Sequence, residues 1–200
     1  MKKPNAGFCL WLMGLSASGK TTLAGLLKEA LGQRGLRVEV LDGEVIRATI
    51  SKGLGFSRAD RETHLRRLAS VAKLLVGHQI IVVVAAICPF QHIRQEVRAA
   101  IGEFVEVYLN CPVEVCIRRD PKGHYAKALA GEIANFTGIS DPFEPPVRPD
   151  IVVRTGEESP QESLSRILKG LEALKRIPRS PQAVSGKNTE RAPKPHKSQP

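Results

Sequence analysis

An apolar run from Phe8 to Met13 leads without a spacer into Gly14-Leu15-Ser16-Ala17-Ser18-Gly19-Lys20-Thr21. From Thr22 to Arg34, Leu23, Leu26, Leu27, Ala30 and Leu31 then recur at helical spacing until Gly35 closes the segment. A strand, a glycine loop matching G-x-x-x-x-G-K-[ST] and a helix, in that order, constrain this chain more than any other feature. The glycines let backbone N–H groups converge at the positive end of the helix, where they hold phosphate oxygens. Lys20 is of the right length to reach β- and γ-phosphates, and the Thr21 hydroxyl can hold Mg²⁺. Gly14, Leu15, Ser16, Ala17, Ser18, Gly19, Lys20, Thr21 and Thr22 are therefore the candidate nucleotide-binding residues.

The remaining elements continue the alternation. Val38 to Leu41 reads as a second short strand, and Ile80 to Ala86 is a β-branched run of the kind covered on both faces. Between them lies a helix with Leu65, Leu68, Val71, Ala72 and Leu75 on its inner side and Gly77 at its end. A helix around Phe90 to Ile101, a strand from Phe104 to Leu109, a short strand from Ile151 to Val153 and an amphipathic helix through Leu164, Ile167, Leu168, Leu171 and Leu174 complete the series. Such alternation specifies an α/β chain of the P-loop NTPase fold, a parallel sheet with helices on both faces and ligands beyond the carboxyl ends of the strands. Residues 118–149 are polar, rich in glycine and proline, and longer than an ordinary connection; they read as a mobile lid.

A chain of 200 residues makes one domain on size, and the expected boundary puts the P-loop domain at 1–177 and a tail at 178–200. Half of the net charge of +10 lies between Arg176 and Pro200, in six basic residues set against the single acid Glu190. With its prolines and few large apolar side chains that tail is expected to be disordered, and a role in nucleic-acid binding is not expected of the domain. No apolar run approaches the roughly 18 residues of a membrane span. Lys2, Lys3 and the run that follows imitate a signal peptide, but cleavage near Ala17 would destroy the glycine loop, so the run is read as a buried first strand. Cys9, Cys88, Cys111 and Cys116 form no C-x-x-C pair and read as reduced, buried thiols, as in a cytoplasmic protein.

A phosphate-binding loop names no reaction, since GTPases, motor ATPases and small-molecule kinases share it. Two absences narrow the choice. The third strand ends at Ala86-Ile87-Cys88 without the aspartate that commonly holds Mg²⁺ in ATPases, and no Asn-Lys-x-Asp guanine-reading sequence is present. Asp42 and Glu44, just beyond the second strand, are then the acids placed for metal or general-base work. The residues alone leave open whether these two serve catalysis or a solvated turn.

Four stretches together carry a family resemblance: Gly14 through Thr22; Leu41-Asp42-Gly43-Glu44 with Arg47; Gly55-Phe56-Ser57 with Asp60-Arg61 and Arg66-Arg67; and Arg119-Asp120 with Lys122-Gly123, continuing through Ala130-Gly131-Glu132, Phe136-Thr137-Gly138-Ile139 and Asp141-Pro142. From about Phe8 to Leu174 the chain resembles the adenylylsulfate kinases. The resemblance implies transfer of the ATP γ-phosphoryl group to the 3′-hydroxyl of adenylylsulfate, with Mg²⁺ as cofactor and a homodimer as the assembly. It implies Lys20, Asp42 and Glu44 as catalytic residues, and Thr21 and Asp42 as metal ligands. Asp42, Arg47, Phe56, Arg61, His64 and Phe136 would bind the acceptor, the arginines taking its phosphosulfate and the phenylalanines its adenine. Arg119 and Lys122 would close over ATP.

Where the family pattern has Asp-Gly-Asp-Asn this chain has Asp42-Gly43-Glu44-Val45, and where it has Glu-Asn-Ile-Arg-Arg this chain has Thr63-His64-Leu65-Arg66-Arg67. Ile87-Cys88-Pro89-Phe90 replaces Ile-Ser-Pro-Tyr, which removes the serine on which a phosphorylated intermediate would form, and Leu129 replaces an arginine. An imidazole at position 64, with an unperturbed pKa of about 6.5, gains charge as pH falls from about 7.5 to 6 if a bound phosphosulfate lies closer to it than the neighbouring arginines, and adenylylsulfate then binds more tightly. Two rival readings remain: a kinase of the same architecture with another nucleotide or sugar as acceptor, and a nucleotide-binding regulator without turnover.

Overall fold

The computed structural model describes residues 6–179; the expected disordered tail lies outside them, apart from its first two residues. Five strands, β1 Cys9–Met13, β2 Val38–Asp42, β3 Ile81–Ala85, β4 Phe104–Leu109 and β5 Ile151–Val153, form one sheet in the order β2-β3-β1-β4-β5. Every pairing is parallel, with Leu10 opposite Val83 on one side and Val105 on the other. All five residues of β1 and of β3 are buried, as uninterrupted apolar strands covered on both faces must be.

Two apolar clusters lie on opposite faces of this sheet. On one, Leu23, Leu27 and Leu31 of α1 (Lys20–Gly32) and Ile167 and Leu171 of α7 (Pro160–Ala173) pack on Leu10, Leu12, Val83 and Val107. On the other, Leu65, Leu68 and Ala72 of α3 (Arg58–Gly77) and Ile93 and Val97 of α4 (Gln91–Ile101) pack on Trp11, Met13, Val82 and Val84. The alternation of apolar residues along each strand is what feeds both clusters at once. Ser159 and Glu162 close a capping box at the start of α7, satisfying helix N–H groups that would otherwise be orphaned.

Three short helices were not foreshadowed by periodicity: α2 (Gly43–Ala48), α5 (Val113–Arg119) and α6 (His124–Leu129). The last two fall in or beside the stretch expected to be a mobile lid. That stretch shares a small core with the glycine loop and α5, in which Cys111, Cys116 and Tyr125 are buried against Leu15, Ala17, Phe136 and Ile139. The lid segment is thus packed on the glycine loop. The four cysteines are free and buried, and no helix among the described residues is long and apolar enough to cross a membrane.

Leu27 is fully buried where α1 meets the sheet, so Leu27→Ala should lower unfolding free energy by about 2–5 kcal/mol. Urea denaturation measures this, and a loss under about 1 kcal/mol would contradict the packing described.

Candidate active site

The glycine loop begins where β1 ends, and its shape follows from close approach. A Cβ on Gly14 would stand 2.7 Å from the Leu109 carbonyl oxygen of β4 and 2.9 Å from Ser18 Oγ, so only glycine leaves the strand there. Gly19, at φ 96°, turns the chain into α1. Lys20 Nζ folds back into the loop, donating to the carbonyls of Leu15 at 2.6 Å and Gly14 at 3.1 Å. Burial pushes its pKa down to about 8, while the nearby acids Asp42 and Glu44 oppose the shift.

Asp42 closes β2 and caps α2. Its Oδ1 accepts from the Glu44 backbone N–H at 2.9 Å, and its Oδ2 accepts from the Thr21 hydroxyl at 2.8 Å. The first turns of α1 and α2 therefore converge on one carboxylate. Glu44, the next acid along, extends into solvent and forms an ion pair with Lys122 of the lid segment. Gly43 between them is pressed against the end of β3, since a Cβ there would lie 3.1 Å from Ala86 Cβ.

The lid segment meets the loop from the other side. The Tyr125 hydroxyl donates to the Ser16 carbonyl at 3.1 Å, and the Phe136 ring stands edge-on to Tyr125 at 5.0 Å between centroids. Burial and the neighbouring Cys116 raise the Tyr125 pKa, keeping the hydroxyl a donor. Arg119 turns toward β5, donating to the Thr155 carbonyl at 2.5 Å. Tyr125 was missed in sequence, because the six-residue helix α6 that carries it is too short to show which of its side chains are buried.

The expected acceptor residues form two groups. The Arg47 guanidinium lies over the exposed Phe56 ring, 4.8 Å from its centroid, and donates to the Gly55 carbonyl at 2.9 Å. Arg61 is buried, bonding Thr137 Oγ1 at 3.0 Å and Asp141 Oδ2 at 2.6 Å. Those two partners belong to a tight turn closed by a Thr137–Asp141 bridge and by Gly138 N–H donating to the Asp141 carbonyl at 2.8 Å. Among the described residues Phe56 and Phe136 form no ring pair with each other, each having a different neighbour.

His64 requires a correction. It is only 5% exposed, with Nδ1 2.9 Å from the buried Ser51 Oγ. Burial first, then repulsion from Arg47 and Arg67, pushes its pKa down to about 4. The ring is therefore neutral between pH 7.5 and 6 in the free protein, so any gain of charge over that interval would have to come from a bound anion.

Thr21 and Asp42 offer hard oxygen donors side by side, and Mg²⁺ is commonly held by one or two such groups with the remaining positions filled by water and phosphate. Among the described residues no cluster of three or more His, Cys, Asp or Glu side chains forms a self-sufficient metal cage. The donor set thus fits an ion that arrives with a nucleotide.

The family model described as adenylylsulphate kinase matches residues 6–154. A protein of Sorangium cellulosum named as a probable bifunctional SAT/APS kinase 2 is 51% identical over 180 residues, covering 90% of this chain and 31% of its own length. The chain thus spans about a third of that relative. The adenylyl-sulfate kinase of Rippkaea orientalis is 51% identical over 168 residues, which are 84% of this chain and 93% of the relative. Among solved structures, the Mycobacterium tuberculosis APS kinase CysC in complex with AMPPNP and APS superposes with a TM-score of 0.80 at 42% identity, covering 84% of this chain and 99% of that one.

Lys20 generates a pH prediction. A bound triphosphate restores the charge that burial disfavours, so nucleotide affinity should fall as pH rises through about 8. In the free protein the sign is opposite for stability, which rises with pH from about 8 toward the reference value of about 10.4 as the folded lysine sheds its proton first. Titrating ATP by calorimetry from pH 7 to 9 checks the first effect, and Lys20→Ala should remove its inflection.

Proposed function

This chain belongs to the adenylylsulphate kinase family, and from that premise we propose that it phosphorylates the 3′-hydroxyl of adenylylsulfate at the expense of ATP, giving ADP and 3′-phosphoadenylylsulfate. The observation that carries the reading is the convergence of three elements on one point. The glycine loop with Lys20, the Thr21–Asp42 pair and the Glu44–Lys122 pair meet beyond the carboxyl ends of β1 and β2.

The glycine loop holds the phosphates through backbone N–H groups, and Lys20 supplies positive charge where negative charge accumulates during transfer. Binding of phosphate exchanges the Lys20 contacts with Leu15 and Gly14 for contacts with the nucleotide. Thr21 and Asp42 would hold Mg²⁺, which supplies charge neutralisation for the transferring group. Glu44 accepts the proton of the ribose 3′-hydroxyl as that oxygen attacks the γ-phosphorus in line, and ADP leaves. Its longer arm, compared with aspartate, reaches both the acceptor and Lys122. No covalent intermediate on the protein is required.

The same reading gives the acceptor's phosphosulfate to Arg47 and Arg61, whose guanidinium forks suit anionic oxygens. Adenine falls to Phe56 and Phe136, whose faces suit a base. With Arg119 and Lys122 on it, the lid segment closes over ATP and excludes the water that would hydrolyse it. A kinase domain bounded near Ile177, which is buried in the α1 face of the core, pairing of two copies and a cytoplasmic setting complete the proposal.

A coupled assay of ADP release with ATP, Mg²⁺ and adenylylsulfate, AMP, shikimate or gluconate in turn should show the fastest turnover with adenylylsulfate. Equal or faster turnover of another acceptor would sink the assignment, and no turnover of any would favour a regulator. Lys20→Ala should lower kcat by at least about a hundredfold while leaving the melting temperature near the parent value. Glu44→Gln should lower kcat by about 10²- to 10⁴-fold, and Glu44→Asp much less. A Glu44→Gln enzyme with parental kcat would assign the base elsewhere.

A further inference from the structure

Residues 136–141 form a turn that touches both the glycine loop and Arg61. Toward the loop, a Cβ on Gly138, which has φ 90°, would stand 2.8 Å from Leu15 Cδ2. The turn is thus pressed against the residue whose carbonyl receives Lys20. Toward α3, Asp141 Oδ2 accepts from Arg61 Nη2 at 2.6 Å and Thr137 Oγ1 accepts from Nη1 at 3.0 Å. The turn keeps its shape by other means: the N–H groups of Ile139, Ser140 and Asp141 all reach the Phe136 carbonyl, and the Phe136 N–H donates to Ser140 Oγ at 2.9 Å. None of these bonds uses the Asp141 carboxylate, which is given to Arg61.

The Arg61 guanidinium is held at its edge by those two oxygens and on one face by the Phe90 ring, whose centroid lies 5.5 Å from the guanidinium carbon. Three contacts fix its plane as well as its place. Stability alone does not explain the arrangement, because a buried ion pair recovers little more than the desolvation of its two charges. Arg61 Nε, moreover, is enclosed without a hydrogen-bond partner among the described residues. Orientation does explain it: a guanidinium presents its donors in a rigid fork, and an anion is gripped only where that fork faces it.

We propose that Asp141 is a positioning residue for the acceptor: it aims Arg61 at the phosphosulfate, and the turn that carries it sets the distance from Arg61 to the glycine loop. The proposal rests on the kinase reading above, in which Arg61 takes the acceptor's anionic group and Phe136, on the same turn, its adenine. Asp141 itself touches neither substrate. A carboxylate beside an anion site repels the anion, so by charge alone its removal would tighten binding. Aim acts in the opposite direction. Without Asp141 an enclosed Nη loses its acceptor, and the guanidinium turns toward water to recover one.

The test measures the adenylylsulfate dissociation constant by calorimetry, with Mg²⁺ and a non-hydrolysable ATP analogue present. It compares the full chain with Asp141→Ala, Asp141→Asn, Arg61→Ala and the variant carrying both alanines. Asp141→Ala should weaken adenylylsulfate by about tenfold and leave affinity for the ATP analogue unchanged. The asparagine amide oxygen still accepts from Nη2 but carries no charge, so Asp141→Asn should stay within about threefold of the parent. Because Asp141 acts through Arg61, the double variant should bind no more weakly than Arg61→Ala. Unchanged or tighter binding in Asp141→Ala, equal losses in Asp141→Ala and Asp141→Asn, or additive losses in the double variant would each overturn the proposal. If Asp141→Ala shows no cooperative melting, Thr137→Val decides: it removes the other anchor and should weaken adenylylsulfate about threefold, and parental binding there would overturn the proposal. A parent chain that binds no adenylylsulfate brings down the kinase reading and this inference together. A parent that binds it, with variants that bind it equally well, brings down the inference alone.

Discussion

The hydrogen bond from Thr21 to Asp42 is the interaction on which the site depends. It joins the first turn of α1, which carries the glycine loop, to the last residue of β2, which carries the acids. Those elements are not neighbours in the sheet, because β3 lies between β1 and β2. What brings them together is the crossing connection of a parallel sheet, in which each helix returns the chain to the same end. The close approach of Gly14 to the Leu109 carbonyl fixes the loop's height above that end. The glycine loop, the Thr21–Asp42 pair and the candidate base Glu44 therefore share one floor.

Above that floor residues 118–149 are held in place by side-chain contacts. Lys122 pairs with Glu44, and Arg61 is bonded to Thr137 and Asp141. The Tyr125 ring differs, because it is wholly buried and its hydroxyl is spent on the Ser16 carbonyl. It anchors the segment to the glycine loop, whereas Lys122 and Arg61 are held by the carboxylates of Glu44 and Asp141.

Much of the fold was legible because it is written in local patterns. The glycine loop, the five strands and the long helices follow from motif and periodicity, and their bounds moved by only a residue or two; Ile81–Ala85, for instance, stands inside the expected Ile80 to Ala86. The helices α2, α5 and α6 were not legible, since six or seven residues are too few to display a period and their stability comes from caps and packing. Arg61 and His64 mark the other limit. Their spacing with Leu65 and Leu68 fits a buried stripe, but polarity suggested a solvent- or ligand-facing surface, and only the Thr137–Asp141 turn and Ser51, distant in sequence, show what the Arg61 Nη atoms and the His64 ring meet.

The identity of the product tests the central claim most directly. Incubating the protein with ATP, Mg²⁺ and adenylylsulfate and following the mixture by phosphorus NMR should show ADP appearing together with a new phosphomonoester whose phosphorus couples to the ribose H3′. ADP accompanied by inorganic phosphate, or a phosphoryl group attached anywhere other than the 3′-oxygen, would contradict the account.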